Sequence, residues 1–152
     1  MKLRAATLDD LPRLVRFNAE MAQVTEGRQL DVERLTRGVR RVLEDAERGR
    51  YLVAEAEGGE LLGGLMVTRE WSDWRDGWFW WIQSVFVREV ARRQGVYRAL
   101  HEHVRAEARE RGDVCGLRLY VEHDNAGAQS VYERVGMTRA HYHMYEEDFV
   151  LG

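Results

Sequence analysis

Only one proline, one cysteine and one lysine occur in the 152 residues, and each scarcity closes off a class of reading. The lone Cys115 can form no intramolecular disulfide and cannot build a cysteine-rich metal site. No apolar run approaches the roughly 18 residues that cross a bilayer, so no membrane partner is expected. The opening Met1-Lys2-Leu3-Arg4 runs into a mixed polar stretch rather than an apolar leader, and a cytoplasmic address is the expectation. Repeats and low-complexity tracts are missing as well. Neither sign of charge dominates: 23 basic residues face 26 acidic ones, which excludes the broad positive field that gathers nucleic acid. Lys2 is the only lysine among those 23, so 22 are arginines, the side chain whose planar fork grips phosphate through two parallel bonds. Most of them alternate with glutamate on helix faces, as a solvated surface would.

Hydrophobic residues make up 45% of the chain and five are tryptophan, ample for one packed core and too many for disorder. The length suits a single domain over 1–152, burying roughly 68–70% of its unfolded surface. Leu3–Ala6 reads as a short strand. Capping residues Thr7–Asp10 follow, then Leu11, Leu14, Val15, Asn18 and Met21 at helical spacing, with Pro12 in the first turn, where its missing N–H costs nothing. A second helix is predicted over Asp31–Ala46, with Val24–Leu30 as a polar loop centred on Gly27. Strands are predicted at Tyr51–Ala56 and Leu61–Glu70, around a Gly58-Gly59 turn, and at Trp78–Val87. A helix over Gly95–Glu110 turns Val96, Ala99, Leu100, His103 and Val104 inward. The pattern closes with a strand over Leu117–Glu122, a helix over Ala126–Val135 and one or two strands over Met137–Phe149. Early hairpins and later crossover helices imply an α/β fold, one mixed sheet flanked by helices on both faces.

The strand through Gln83–Val87 leads directly into Arg92-Arg93-Gln94-Gly95-Val96-Tyr97-Arg98 and a helix. Consecutive N–H groups at a helix start, near three arginines, make a site for phosphates. Gly95 permits a backbone geometry or close approach that a side chain would obstruct. Downstream, Asn125, Ala128, Tyr132, Gly136 and Met137 stand at the spacing N-x-x-A-x-x-x-Y-x-x-x-G-[FM]. With Arg4-Ala5-Ala6-Thr7 ahead of the first helix, these motifs resemble the GNAT superfamily of N-acetyltransferases over nearly the whole chain. The resemblance implies acetyl-CoA as acyl donor, its pyrophosphate held by main-chain amides of the Arg92–Arg98 turn. It implies that Val85, Phe86 and Val87 pair with the pantetheine arm, an amide there polarising the thioester carbonyl. Asn125 then contacts the cofactor arm, and Tyr132, near the sulfur, is the general acid. Two positions depart from the family pattern. Tyr97 stands where Gly or Ala is usual, so its ring has to turn away from the phosphates or stack beside the cofactor. Glu89 replaces a frequent proline, which affects the bend after the strand.

Acetyl transfer to an amine needs a neutral amine, a polarised carbonyl, a held oxyanion and a protonated leaving thiol. Relatives often carry an ionisable side chain on the strand before the cofactor loop. The matching face here carries Phe79, Trp81 and Gln83, none of which takes a proton at neutral pH. Gln83 can orient a water or the acceptor and Trp81 can wall the pocket, while the base comes from another element or from water. Glu26, Glu70, Asp73 and Glu122 fall in segments able to border the acceptor, and each is equally an ordinary surface carboxylate; Glu26 or Glu70 is the candidate base. Trp71 and Trp74, flanking Asp73, either pack on the sheet or line a ligand site. Aromatic faces attract cations, so a cationic amine is the expected acceptor. His141 and His143 share a strand face, yet nothing completes a tetrahedral set with them, and no metal is expected. Two function classes stay open: an acetyl-CoA-dependent N-acetyltransferase acting on a primary amine of a small molecule or peptide, and a non-catalytic acyl-CoA-binding or sensing module of the same fold. Self-association as a homodimer, through an exposed strand, is compatible with either.

Overall fold

A buried carboxylate ties the first strand to the first helix. The computed structural model describes residues 1–152, and strand β1 (Lys2–Ala5) carries Arg4 toward Asp10, whose side chain is 1% exposed. Asp10 accepts two bonds from the Arg4 guanidinium, at 2.8 and 2.9 Å, one from Arg13 and one from the Thr7 N–H. These donors, Arg4 foremost, hold its carboxyl down at about 2. Helix α1 (Leu11–Glu26) follows and buries Leu11, Leu14 and Val15. It runs further than the expected loop at Val24–Leu30 allows, so Glu26 ends a helix rather than sitting in a loop. The reason is Gly27, which takes φ 62° and acts as the C-cap. Its N–H returns to Gln23 and that of Arg28 to Ala22. Helix α2 (Val32–Glu44), capped by Asp31, stops short of Ala46 because the Asp45 carboxylate takes the Glu47 N–H and starts a turn.

The sheet contains β2 (Arg50–Glu55), β3 (Leu61–Ser72), β4 (Gly77–Val87) and β5 (Val114–Arg118), in the order β1-β2-β3-β4-β5. The first four run antiparallel, and β5 lies parallel to β4 after the crossover helix α3 (Val96–Arg111). Tyr51, Val53, Leu61 and Phe86 pack with Leu11, Leu14 and Val39 from α1 and α2 on one face. The other face receives α3: a Cβ on Gly63 would stand 3.0 Å from Val96, and Arg50 of β2 pairs with Glu107. An α/β fold with a mixed sheet and helices on both faces results, as the element pattern implied.

Three expectations about the second half need correction. Inside α3 it is His101, fully buried, that faces the sheet, while His103 is half-exposed and pairs with Glu107. Strand β5 begins three residues before Leu117, since Gly112 at φ 77° ends α3 and the Trp78 N–H bonds to Asp113. Residues Val121–Gly152 form a second compact unit, built on α4 (Ala126–Arg134), whose first turn is capped by Asn125. The strands expected over Met137–Phe149 do not form. Composition and alternation suit a strand, but a strand exists only as half of a ladder, and this segment enters none. No helix is long and apolar enough to cross a membrane.

Candidate active site

Strand β4 is paired on both sides only from Trp78 to Trp81. Its register with β5 runs from Trp78↔Val114 to Trp81↔Arg118, and beyond Trp81 its outer edge has no neighbouring strand. On this open stretch the pairing with β3 skips. Met66 opposes Gln83 and Gly64 opposes Phe86, so Ser84 and Val85 together face Leu65, with Ser84 at φ 49°. A positive φ on serine is uncommon, and a bulge re-aims the peptide groups around it. Here the re-aimed groups lie on the one part of β4 whose edge is free. Phe86 itself is anchored: its ring stacks on Phe17 with centroids 4.2 Å apart, and a Cβ on Gly64 would come within 2.9 Å of it. Only main-chain atoms of Phe86 are therefore available to a ligand.

From Val87 the chain passes through a short 3-10 turn at Glu89–Ala91 into Arg92–Gly95 and α3. Arg93 and Gly95 take φ 64° and 78°. The N–H groups of Arg93, Gln94, Gly95 and Val96 donate to no backbone carbonyl, as the start of a helix requires. Arg92 and Arg93 are exposed, and the space where Gly95 would carry a Cβ is open within 4 Å. A diphosphate thus meets four consecutive donors, two exposed guanidiniums and the positive end of a 16-residue helix, and the fit is good. Gln94 returns its amide to Val90 O at 3.0 Å, and Arg98 reaches along the helix to Glu102 at 3.0 Å.

Tyr97 settles between its two expected arrangements by turning inward. The ring is 7% exposed and its hydroxyl lies 2.9 Å from His101 Nδ1, so its side chain is unavailable to the phosphates. Arg105 can only donate, at 3.2 Å, to His101 Nε2, which leaves the ring proton on Nδ1 facing Tyr97. Burial pushes His101 down to about 4, and it is neutral at physiological pH.

The face of β4 that carries Phe79, Trp81 and Gln83 is the one covered by α1 and α2. Trp81 Nε1 donates to Glu70 Oε1 at 2.8 Å, and Arg118 reaches the same oxygen at 3.1 Å. The Arg118 guanidinium also lies 3.6 Å from the Phe79 ring centroid, with Arg75 at 4.9 Å. Gln83 Nε2 donates to Thr68 Oγ1, which fixes the amide and leaves its carbonyl oxygen to accept. Glu70, Trp81 and Gln83 are brought together. Trp71 is not: it pairs with Trp78 on the opposite face, edge to face at 4.9 Å. Trp74, 85% exposed, and Asp73, which accepts the Trp74 N–H, belong to the turn after β3. Glu26 ends α1. Glu122, Asn125 and Tyr132 lie in the second unit, where the Asn125 carbonyl caps α4 through the Ala128 N–H and burial raises the Tyr132 phenol above its ordinary value. Sequence reasoning missed Arg118 and Thr68. With β5 begun at Val114, the parallel register puts Arg118 beside Trp81; the misplaced strand start hid it.

These features agree with what the chain resembles. The profile of the acetyltransferase (GNAT) family matches residues 17–137. A possible acetyltransferase from Clostridium difficile 630 is 38% identical, superposes with a TM-score of 0.90, and the match covers 98% of this chain and 97% of that one. Two more distant structures share the fold. One is a ribosomal-protein-alanine N-acetyltransferase from Brucella melitensis biovar Abortus 2308, with 19% identity, a TM-score of 0.77 and coverage of 98% and 100%. The other is a predicted acetyltransferase from Clostridium acetobutylicum, solved with acetyl-CoA, with 16% identity, a TM-score of 0.76 and coverage of 96% and 95%. A bulged, half-open strand leading into a donor-lined turn, on a chain that matches this profile over most of its length, is the frame of an acyltransferase: the protein belongs to the GNAT family of acetyltransferases.

Proposed function

We propose that the protein transfers the acetyl group of acetyl-CoA directly to a primary amine of a small molecule or peptide, with residues 1–152 acting as one catalytic domain. The supporting observation is the continuous run from the open, bulged edge at Ser84–Val87 to the unpaired amides of Arg93–Val96. Bound acetyl-CoA supplies an acyl group activated as a thioester. The amides at the turn and the exposed Arg92 and Arg93 hold its pyrophosphate, and Gln94 and Gly95 shape the turn. The main chain of Val85, Phe86 and Val87 pairs with the pantetheine arm, and one preorganised amide there is worth about 2.7–4 kcal/mol when aimed at developing oxyanion charge. Family motif, rather than distance, brings Asn125 to the cofactor arm and Tyr132 to the leaving sulfur. Burial makes the Tyr132 phenol hold its proton more firmly, so it acts as a hydrogen-bond donor to sulfur more than as a strong acid.

For the acceptor, the Gln83 carbonyl takes an amine N–H while Trp81 forms a wall. Glu70 keeps Oε2 outside both of its hydrogen bonds and can take a proton through water; Glu26 is the alternative base. A free thiol and no disulfide suit a reducing, cytoplasmic setting. The test is single-turnover acetylation across polyamines, aminoglycosides, amino acids and peptides. Transfer to at least one amine is expected. Tight acetyl-CoA binding with no transfer to any amine would make the protein a sensor instead.

A further inference from the structure

A cleft of about 500 Å³ opens beside α1, and neither the donor turn nor the acceptor face of β4 uses it. Its walls come from three separate parts of the chain: Arg13, Arg16 and Phe17 of α1, the turn at Gly58 and Gly59, and Arg88 just past β4. Small-molecule sites fall in the range of roughly 300–1,000 Å³, and this one lies inside it. The turn keeps the cleft open, because a Cβ on Gly58 or Gly59 would meet nothing within 4 Å. Gly59 also takes φ 88°, where a side chain is disfavoured.

The three guanidiniums of the cleft differ in what they hold. Arg13 is committed to Asp10 and, at 2.9 Å, to the Gly59 carbonyl, so it forms a fixed wall. Arg88 donates to Glu60 at 2.7 Å, but that carboxylate is 67% exposed, and a pair so open to water binds weakly. Arg16 has neither a carboxylate nor a carbonyl. Its guanidinium lies 5.7 Å from the Phe17 ring centroid and makes no hydrogen bond or ion pair, and Glu20, one turn further on, does not reach it. Phe17, stacked on Phe86, and the buried Leu61 supply the apolar part of the lining. A planar guanidinium without a partner, a second one held by a loose carboxylate and an aromatic ring between α1 and the turn suit an oxyanion carried on an apolar body. We propose that this cleft binds a small organic anion, its carboxylate or phosphate shared between Arg16 and Arg88 in place of Glu60, and its apolar part lying against Phe17. The site is independent of the donor reading, since neither Arg16 nor Arg88 belongs to that turn.

Phenyl phosphate, benzoate and inorganic phosphate are titrated calorimetrically into the protein, with saturating coenzyme A present to fill the donor turn. At least one of the two aromatic anions is expected to bind one to one, the tighter of them identifying the head group, and inorganic phosphate, which lacks the ring, to bind more weakly than phenyl phosphate. Arg16→Gln and Arg88→Gln are each expected to weaken binding roughly ten- to a hundredfold, the effect of removing a hydrogen bond to a charged group. Glu60→Gln carries the opposite sign: with its competitor neutralised, Arg88 turns to the ligand and binding tightens severalfold. A damaged fold weakens binding and does not tighten it, so this variant separates a site from a disturbed protein. The proposal is overturned if neither aromatic anion binds, if both arginine variants bind like the parent, if Glu60→Gln fails to tighten binding, or if inorganic phosphate binds as tightly as phenyl phosphate.

Discussion

Replacing Gly95 tests the donor site through geometry alone. Its φ of 78° is a conformation that L side chains rarely adopt, yet nothing lies within 4 Å of where a Cβ would stand. Crowding inside the folded protein is therefore absent, and the whole effect of a substitution comes from backbone strain and from what the new side chain denies to a ligand. A left-handed conformation on a non-glycine residue costs of order 1–3 kcal/mol, least for asparagine and most for a β-branched residue. The chain relieves that strain by rotating the turn, which disperses the N–H groups of Arg93–Val96. Acetyl-CoA must then restore the turn on binding, and 1–3 kcal/mol corresponds to roughly 5–150-fold weaker affinity. The expected order of dissociation constants is parent ≈ Gly95→Asn < Gly95→Ala < Gly95→Val, measured by titration calorimetry alongside thermal melting. A Val variant that binds like the parent while melting lower would remove the phosphate assignment. One that both binds and melts like the parent would refute the strain reasoning itself.

Other perturbations separate the remaining roles. Tyr132→Phe should lower kcat by about 10²-fold with little change in the KM for acetyl-CoA; a parent-like kcat with chemistry rate-limiting reduces the ring to packing. Glu70→Gln or Glu26→Gln should depress turnover most at low pH with the best amine, and two fully active variants would leave the base to solvent. Acid should unfold the protein in two separate windows. Free histidine takes a proton near 6.5 and buried His101 only near 4, so the unfolded chain binds it first and stability falls by about 3 kcal/mol between those values. Asp10 gives up about 2 kcal/mol more as pH falls from 3.8 toward 2, where the folded carboxyl finally protonates. Urea titrations across pH should show both slopes, with the upper one absent in His101→Gln. Cys115→Ala should leave the acetylation rate unchanged, because the thiol has no activating neighbour; loss of turnover in a folded variant would replace direct transfer with an acyl-enzyme.

Most of the architecture was legible because it rests on patterns that repeat. Helical spacing at Leu11, Leu14 and Val15 and the Gly58-Gly59 turn between two apolar runs gave α1 and the β2–β3 hairpin. Errors came where one residue's backbone decided the outcome. Gly27 suits the middle of a loop by composition, yet glycine in the left-handed region closes helices as readily as it opens loops, and the difference lies in bonds to Gln23 and Ala22 that composition does not express. Placing β5 three residues late hid Arg118. The strands expected after Met137 show the limit of the alternation rule: it reports that a segment is fit to pair, and says nothing of whether a ladder receives it.

Donor and acceptor sides differ in legibility for a physical reason. A diphosphate and an extended arm are held by peptide groups, and peptide groups can be aimed only by special backbone conformations. The sequence therefore has to write them as a glycine at φ 78° before a helix and as a strand tolerant of a bulge. The acceptor is met by side chains, whose identities are free to vary as long as one face of β4 presents them. Here that face is not acidic: Glu70 is matched by Arg118, and Arg118 and Arg75 both lie over the Phe79 ring. Guanidiniums thus already occupy the Phe79 ring expected to draw a cation, and Trp71 lies on the opposite face. What remains for an ammonium is Trp81, the second oxygen of Glu70 and the Gln83 carbonyl, a small set that holds one amine at one point. Selectivity among amines then rests on what surrounds the nitrogen. A guanidinium as close as Arg118 favours an acceptor with an anionic or polar group a few bonds from its amine over one carrying several positive charges, and polyamines against amino acids is the comparison in the substrate panel that decides it.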